Sequence, residues 1–271
     1  MLYVLYHANC DDGFGAAYAA WKALGAKALY LPVQYNDPAP DLPLGSKVFI
    51  VDFSYPRDVL ERLAERCNVI VIDHHKTSEE ALRGLPFAYF DMTRSGAGMA
   101  WDYFHPSQNG QRPPLIDHIE DRDLWKFKID NTLTISSALR SYPMSFKVWD
   151  ELMYATDKLH LEGVAIQRYI QRIVENLAKD VRIETWEEGP ALVVNAPGQL
   201  ASELADYLIA QEGYQGNQMS FVATYKDMAD RRLWSLRSRG NFDVSSVAKA
   251  RGGGGHKNAA GFTESYPLGR K

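Results

Sequence analysis

Asn68-Val69-Ile70-Val71-Ile72-Asp73-His74-His75-Lys76 is a short run of β-branched apolar residues that stops on an acid and two imidazoles. An apolar run of this length with no polar alternation reads as a strand buried on both faces, the pattern of a parallel sheet. The same grammar recurs nearby. Leu2–Tyr6 runs into His7-Ala8-Asn9-Cys10-Asp11-Asp12-Gly13, Lys47–Val51 runs into Asp52-Phe53-Ser54, and Lys27–Val33 supplies a fourth strand. Helical patterns at Gly13–Leu24 and Pro56–Cys67 lie between them. Alternating strands and helices predict an α/β fold, an open parallel sheet with helices on both faces. In such sheets ligands bind beyond the carboxyl ends of the strands, so His7, Asp12, Asp52, Asp73, His74 and His75 are expected to share one crevice.

Carboxylates gathered this closely repel one another unless a positive charge sits among them. One or two divalent cations resolve the conflict, and imidazole with carboxylate suits manganese, zinc or ferrous iron better than calcium. Asp12 alone would pass for a helix cap. Three strand ends with matching chemistry favour a metal site.

Beyond the first sheet, residues 97–155 read as mostly helical, with Pro113 and Pro114 opening the helix Pro114-Leu115-Ile116-Asp117-His118-Ile119-Glu120-Asp121-Arg122-Asp123. Ile166, Ile170, Ile173, Val174 and Leu177 recur at helical spacing in a long amphipathic stretch. The pattern then restarts with a strand at Ala191–Asn195, a helix at Leu200–Ala210 and a hairpin of Ser220–Tyr225 with Leu233–Arg237. The expected organisation is a first α/β domain over 1–157, a connector helix over 158–189 and a smaller α/β domain over 190–271. Residues 221–271 carry ten Lys/Arg against four Asp/Glu, although the whole chain has a net charge of -4. Either the unevenness is that of a solvated surface, or the last segment faces an anion. Two cysteines, no apolar run of about 20 residues and no basic leader fit a cytoplasmic protein with free thiols and no membrane partner.

Asp73-His74-His75 after an apolar strand resembles the signature of the DHH phosphoesterase superfamily. The residues around His7–Gly13, Asp52 and Asp121 resemble its other metal motifs, in order. Gly252-Gly253-Gly254-Gly255-His256-Lys257-Asn258-Ala259-Ala260-Gly261 is similar to the glycine-rich motif of the DHH-associated domain. The resemblance covers nearly the whole chain and implies two Mn²⁺ ions, with Mg²⁺ or another divalent cation as substitute. Asp52 would bridge them, His7 would serve one, and Asp12, His74 and Asp121 the other, with Asp123 the weaker candidate for that last place. Asp73 would orient a histidine from behind, and His75 would sit near the scissile phosphate. One position departs from the family's Asp-x-Asp-Gly, because Cys10-Asp11-Asp12-Gly13 puts a cysteine where the first carboxylate stands. Cys10 is then a thiolate ligand, or a small buried residue beside a more loosely held metal, or Asp11 fills the gap.

The resemblance further implies hydrolysis of a phosphodiester, with His75 and His256 donating hydrogen bonds to the charge that builds on phosphorus-bound oxygens. Gly253, Gly254 and Gly255 would let backbone N–H groups approach a phosphate. Arg237, and less strongly Arg239, would grip a terminal phosphate, and Ser95, before a helix, would offer a weaker contact. No module remains to hold a long strand, so the expected partner is a short nucleotide, for instance the linear dinucleotide pGpG, and no stable nucleic-acid complex. The alternatives are a single-strand exonuclease, a small-nucleotide phosphatase and a non-catalytic nucleotide sensor.

Overall fold

A computed structural model describes residues 1–35, 37–106, 111–211 and 219–266. The chain forms two units, Met1–Gln167 and Arg168–Lys271. In the first, strands β1 (Leu2–His7), β2 (Ala28–Val33), β3 (Lys47–Val51), β4 (Asn68–Asp73) and β5 (Ala88–Phe90) form one sheet in the order β2-β1-β3-β4-β5. Every pairing is parallel. Side chains alternate between faces along each strand. Val4, Phe49, Val51 and Ile72 enter one core, and Tyr3, Leu5, Val48, Ile50, Val69 and Val71 enter the other. Helices α1 (Asp11–Leu24), α4 (Gly96–Phe104), α5 (Pro114–Asp123), α6 (Thr132–Leu139) and α7 (Phe146–Leu152) supply the first core. Helices α2 (Arg57–Arg66) and α3 (Lys76–Leu82) cover the second. Burial on both faces is why these strands carry no polar alternation.

Helix α8 (Thr156–Leu177) contains the boundary between the units. It ends earlier than the connector read from the sequence, and Arg182–Trp186 is a strand, β6, paired with β7 (Gly189–Asn195). The second unit is a six-stranded sheet in the order β10-β11-β9-β8-β7-β6, with β8 (Phe221–Asp227), β9 (Arg231–Arg237), β10 (Gly254–His256) and β11 (Ala259–Ser265). Helix α9 (Ala201–Ala210) packs on the face carrying Leu192, Val194 and Val222. Helix α10 (Val244–Lys249) packs on the face carrying Val193, Ala223 and Leu236. The β8–β9 hairpin agrees with the sequence reading. Among the described residues no helix is long and apolar enough to cross a membrane.

Candidate metal centre

His7 ends β1, Asp52 follows β3, and Asp73 ends β4 with His74 and His75 just beyond it. Because the strands are parallel and adjacent, all five arrive at the same edge of the sheet. Asp12 joins them from the first turn of α1, where it is 2 % exposed. Two glycines make the approach possible. A Cβ on Gly13 would lie 2.3 Å from the His7 carbonyl oxygen, and one on Gly96 would lie 2.5 Å from Asp52 Cβ. Asp52 takes a left-handed backbone conformation, φ +54°, uncommon outside glycine and costing on the order of 1–2 kcal/mol. That turn aims its carboxylate into the cluster.

His74 Nε2 lies 3.1 Å from Asp52 Oδ1, 3.3 Å from Asp12 Oδ2 and 3.6 Å from Asp123 Oδ2. The other Asp52 oxygen, Oδ2, faces His7 Nδ1 at 3.5 Å. Among the described residues of the first unit, three sets of groups could each hold a cation: His7 with Cys10 and Asp52, Asp12 with Asp52 and His74, and Asp52 with Asp73 and His75. Within each set, the donor atoms lie within 4.8 Å of one another. His7 Nδ1 and Asp52 Oδ2 are buried and lack a hydrogen-bond partner among the described residues, a costly condition that a bound cation would relieve. The donor set and these orphaned atoms fit a divalent metal.

The protonation pattern points the same way. Burial, then repulsion from Asp52 and Asp123, raises the Asp12 carboxyl to about 7. Burial also works against ionised Asp52, but the nearby His7 ring and the hydrogen bond with His74 hold its carboxyl well below the usual range. Burial disfavours charged His74, yet Asp12 and Asp52 hold its imidazolium so firmly that its pKa rises to about 12. Burial, followed by the charges of Asp52, Asp12 and Asp123, pushes the Cys10 thiol well up.

Supporting contacts fix the ligands. Asp12 accepts hydrogen bonds from Gly96 N at 2.6 Å and Ala97 N at 2.9 Å, using the free amides at the start of α4. Asp73, fully buried, accepts from Ser54 Oγ at 2.6 Å and from His74 N at 2.7 Å, and meets His75 Nδ1 at 2.6 Å. Despite burial, contact with His75 and Ser54 lowers its carboxyl to about 2. Asp73 thereby holds His75 in one orientation.

The structure places three other residues differently from the sequence reading. Asp121 stands away from the cluster, its oxygens accepting from Lys128 N at 2.8 Å and Ile129 N at 3.1 Å, whereas Asp123 approaches His74. Ser95 is fully buried and caps α4 by accepting from Gly98 N, while its own amide donates to Glu120. Those amides are used inside the protein. Gly253 N donates to Ala248 O, and a Cβ there would lie 2.0 Å from the Gly261 carbonyl oxygen, so this glycine serves strand packing. Asp11 lies in the fields of Arg140 and Arg122 and belongs to none of the three sets.

In the second unit, Arg237 and His256 both sit opposite Ala259, on β9 and β10 respectively. They stand in one row two strands apart, about 10 Å by strand spacing. Arg237 Nε donates to Ser202 Oγ on α9 at 3.0 Å, which puts the row on the α9 face. A Cβ on Gly255, φ +138°, would lie 2.7 Å from Ala260 Cα, and Gly254 pairs with Gly261. Arg239 is exposed and pairs with Asp206.

Known proteins resemble this chain in sequence. Residues 1–122 match the model of the DHH family, N-terminal domain. Uncharacterized protein R106 of Acanthamoeba polyphaga mimivirus is 29% identical over 96% of this chain and 66% of its own length. Cyclic-di-AMP phosphodiesterase PdeA of Listeria monocytogenes is 26% identical over 79% of this chain and 33% of its own. Oligoribonuclease NrnB of Bacillus subtilis is 25% identical over 96% and 72%. The chain spans less than two thirds of the length of the mimivirus and Listeria proteins. Over residues 1–122, the part that carries His7, Asp12, Asp52 and the Asp73-His74-His75 run, the chain is similar to the N-terminal domain of the DHH family.

Proposed function

We propose that this protein hydrolyses phosphodiester bonds in short linear nucleotides, 5′-phosphorylated dinucleotides such as pGpG above all, using two divalent cations, Mn²⁺ by preference. The observation that carries the reading is Asp52, whose Oδ1 faces His74 while its Oδ2 faces His7. A carboxylate aimed at two donor sets has the form of a metal bridge. One ion would be held by His7 and Asp52, the other by Asp12, Asp52, His74 and Asp123. Paired cations of this kind supply an activated water and clamp the attacking and leaving oxygens in line.

The chain's own groups would do the rest. His75 is fixed through Nδ1 by Asp73, whose carboxylate raises its pKa above the ordinary imidazole value even though burial works against the charge. A ring N–H held in one orientation can donate to a phosphate oxygen as negative charge grows there. In the second unit, Arg237 and His256 offer donors for phosphate from one row, with Gly254 and Gly255 beside them. PdeA and NrnB, by their names, act on a cyclic dinucleotide and on oligoribonucleotides, which supports a phosphodiester within a small nucleotide.

The test is a panel of 5′-phosphorylated dinucleotides, longer single strands, cyclic dinucleotides and pyrophosphate, each incubated with protein and Mn²⁺ and read by mass. Mononucleotides formed fastest from the dinucleotides are expected. Intact dinucleotides alongside degraded longer strands would overturn the substrate assignment. Nucleotide binding without turnover in both the wild type and Asp52→Ala would indicate a sensor.

A further inference from the structure

We propose that Cys10 Sγ is a ligand of the cation held by His7 and Asp52, which makes that half of the centre a thiolate–imidazole–carboxylate site for a thiophilic divalent cation such as zinc or ferrous iron. The inference rests on the metal reading above and deepens it.

Cys10, His7 and Asp52 each offer a donor atom, and the three lie within 4.8 Å of one another. Two of the three partners need a cation. Asp52 is 1 % exposed, and among the described residues neither its Oδ2 nor the buried His7 Nδ1 has a hydrogen-bond partner. The identity of residue 10 is not explained by the helix it precedes. It occupies the N-cap of α1, a position that favours Ser, Asn or Asp, and its side chain forms no capping hydrogen bond. Asn9 before it adopts φ +56°, so a left-handed turn sets the approach of residue 10 to the helix.

The charge balance is complete. Thiolate and Asp52 carboxylate together neutralise one M²⁺, and His7 binds as the neutral ring. As the metal–sulfur bond forms, the thiol proton leaves to solvent, and nothing is oxidised or reduced. Thiolate and imidazole together select zinc and iron, whereas Asp12, Asp52, His74 and Asp123 form an oxygen-rich set that suits manganese or magnesium. The Cys10 half would therefore hold zinc or iron more tightly than the Mn²⁺ it also accepts, while the other half keeps the preference for Mn²⁺.

The test uses the metal-free full chain titrated with Co²⁺ and followed by absorption. A sulfur-to-cobalt charge-transfer band in the near ultraviolet is expected for the wild type and for Cys67→Ser, whose thiol lies in the other core. Cys10→Ser and Cys10→Asp should bind cobalt without that band. In the unsubstituted protein, peptide mass mapping of iodoacetamide labelling gives a second readout. Labelling of Cys10 should slow about a hundredfold when free zinc is a hundred times its Kd. Cobalt bound by the wild type with no band, or Cys10 labelled at the same rate with and without zinc, overturns the proposal and leaves the function standing. If no cation binds, both fall.

Discussion

Gly96→Ala should damage metal binding without unfolding the protein. The added Cβ would lie 2.5 Å from Asp52 Cβ and 2.7 Å from its Oδ1. Ordinary contact begins near 3.4 Å, so either Asp52 or the first turn of α4 must move by about 0.9 Å. Asp52 is 1 % exposed and has no room to swing aside. Moving α4 instead carries Gly96 N, which holds Asp12 Oδ2 at 2.6 Å. Either way, Asp52 and Asp12 change their separation by several times the ~0.2 Å that metal–ligand distances tolerate. Overpacking costs about 1–3 kcal/mol, partly offset by the better helix propensity of alanine, up to ~1 kcal/mol. Calorimetric titration with Mn²⁺ should show affinity lowered roughly 10–100-fold, the loss typical when the support of a ligand is removed. Urea unfolding of the metal-free protein should still be cooperative. Gly198→Ala, where an added Cβ meets nothing within 4 Å, is the control and should leave both measurements near wild type. Wild-type Mn²⁺ affinity in folded Gly96→Ala would refute the argument that this close approach sets the ligand geometry.

Asp123→Asn and Asp121→Asn should part company. The first should weaken Mn²⁺ binding while leaving the metal-free fold as stable as before, since Asp123 is destabilised there by burial and by Asp52. The second should cost about 1–3 kcal/mol in urea unfolding, because it disturbs the acceptors of Lys128 N and Ile129 N, and should speed hydrogen exchange at those two amides. Asp73→Asn should lower kcat with Mn²⁺ affinity largely kept, measured by turnover alongside calorimetry, since Asp73 contacts His75 Nδ1. Asp102 carries a pH prediction. Burial opposes its ionisation, but hydrogen bonds from Arg112 at 2.7 Å and Arg94 at 2.9 Å depress its pKa. The stability it adds is present above the unfolded value of about 3.9 and lost as pH falls through the lower folded value. Asp102→Asn should flatten that part of the acid-unfolding curve, followed by tryptophan fluorescence.

The strand ends were readable because a parallel sheet gathers its carboxyl ends, so three acid- or histidine-tipped apolar runs already locate His7, Asp52 and His74. The choice between Asp121 and Asp123 was not readable. At 100° per residue they lie about 200° apart on a helix, and only the packing of α5 decides which faces the cluster. Packing turns Asp121 toward the amides of Lys128 and Ile129. Ser95 misled for a related reason: amides at a helix start attract an anion, and here the anion is the protein's own Asp12. Arg182–Trp186 was read as part of the connector because its one buried neighbour, β7, lies beyond it in sequence. The glycine run was conspicuous, but its purpose at Gly253 is visible only beside β11.

The most direct test is the number of divalent cations bound by the metal-free chain, measured by calorimetric titration with Mn²⁺ and checked by elemental analysis. Two ions per wild-type chain, and neither held at comparable affinity by Asp52→Ala, are expected of a carboxylate shared between two sites. Zero ions in the wild type, or two retained after Asp52→Ala, would contradict it.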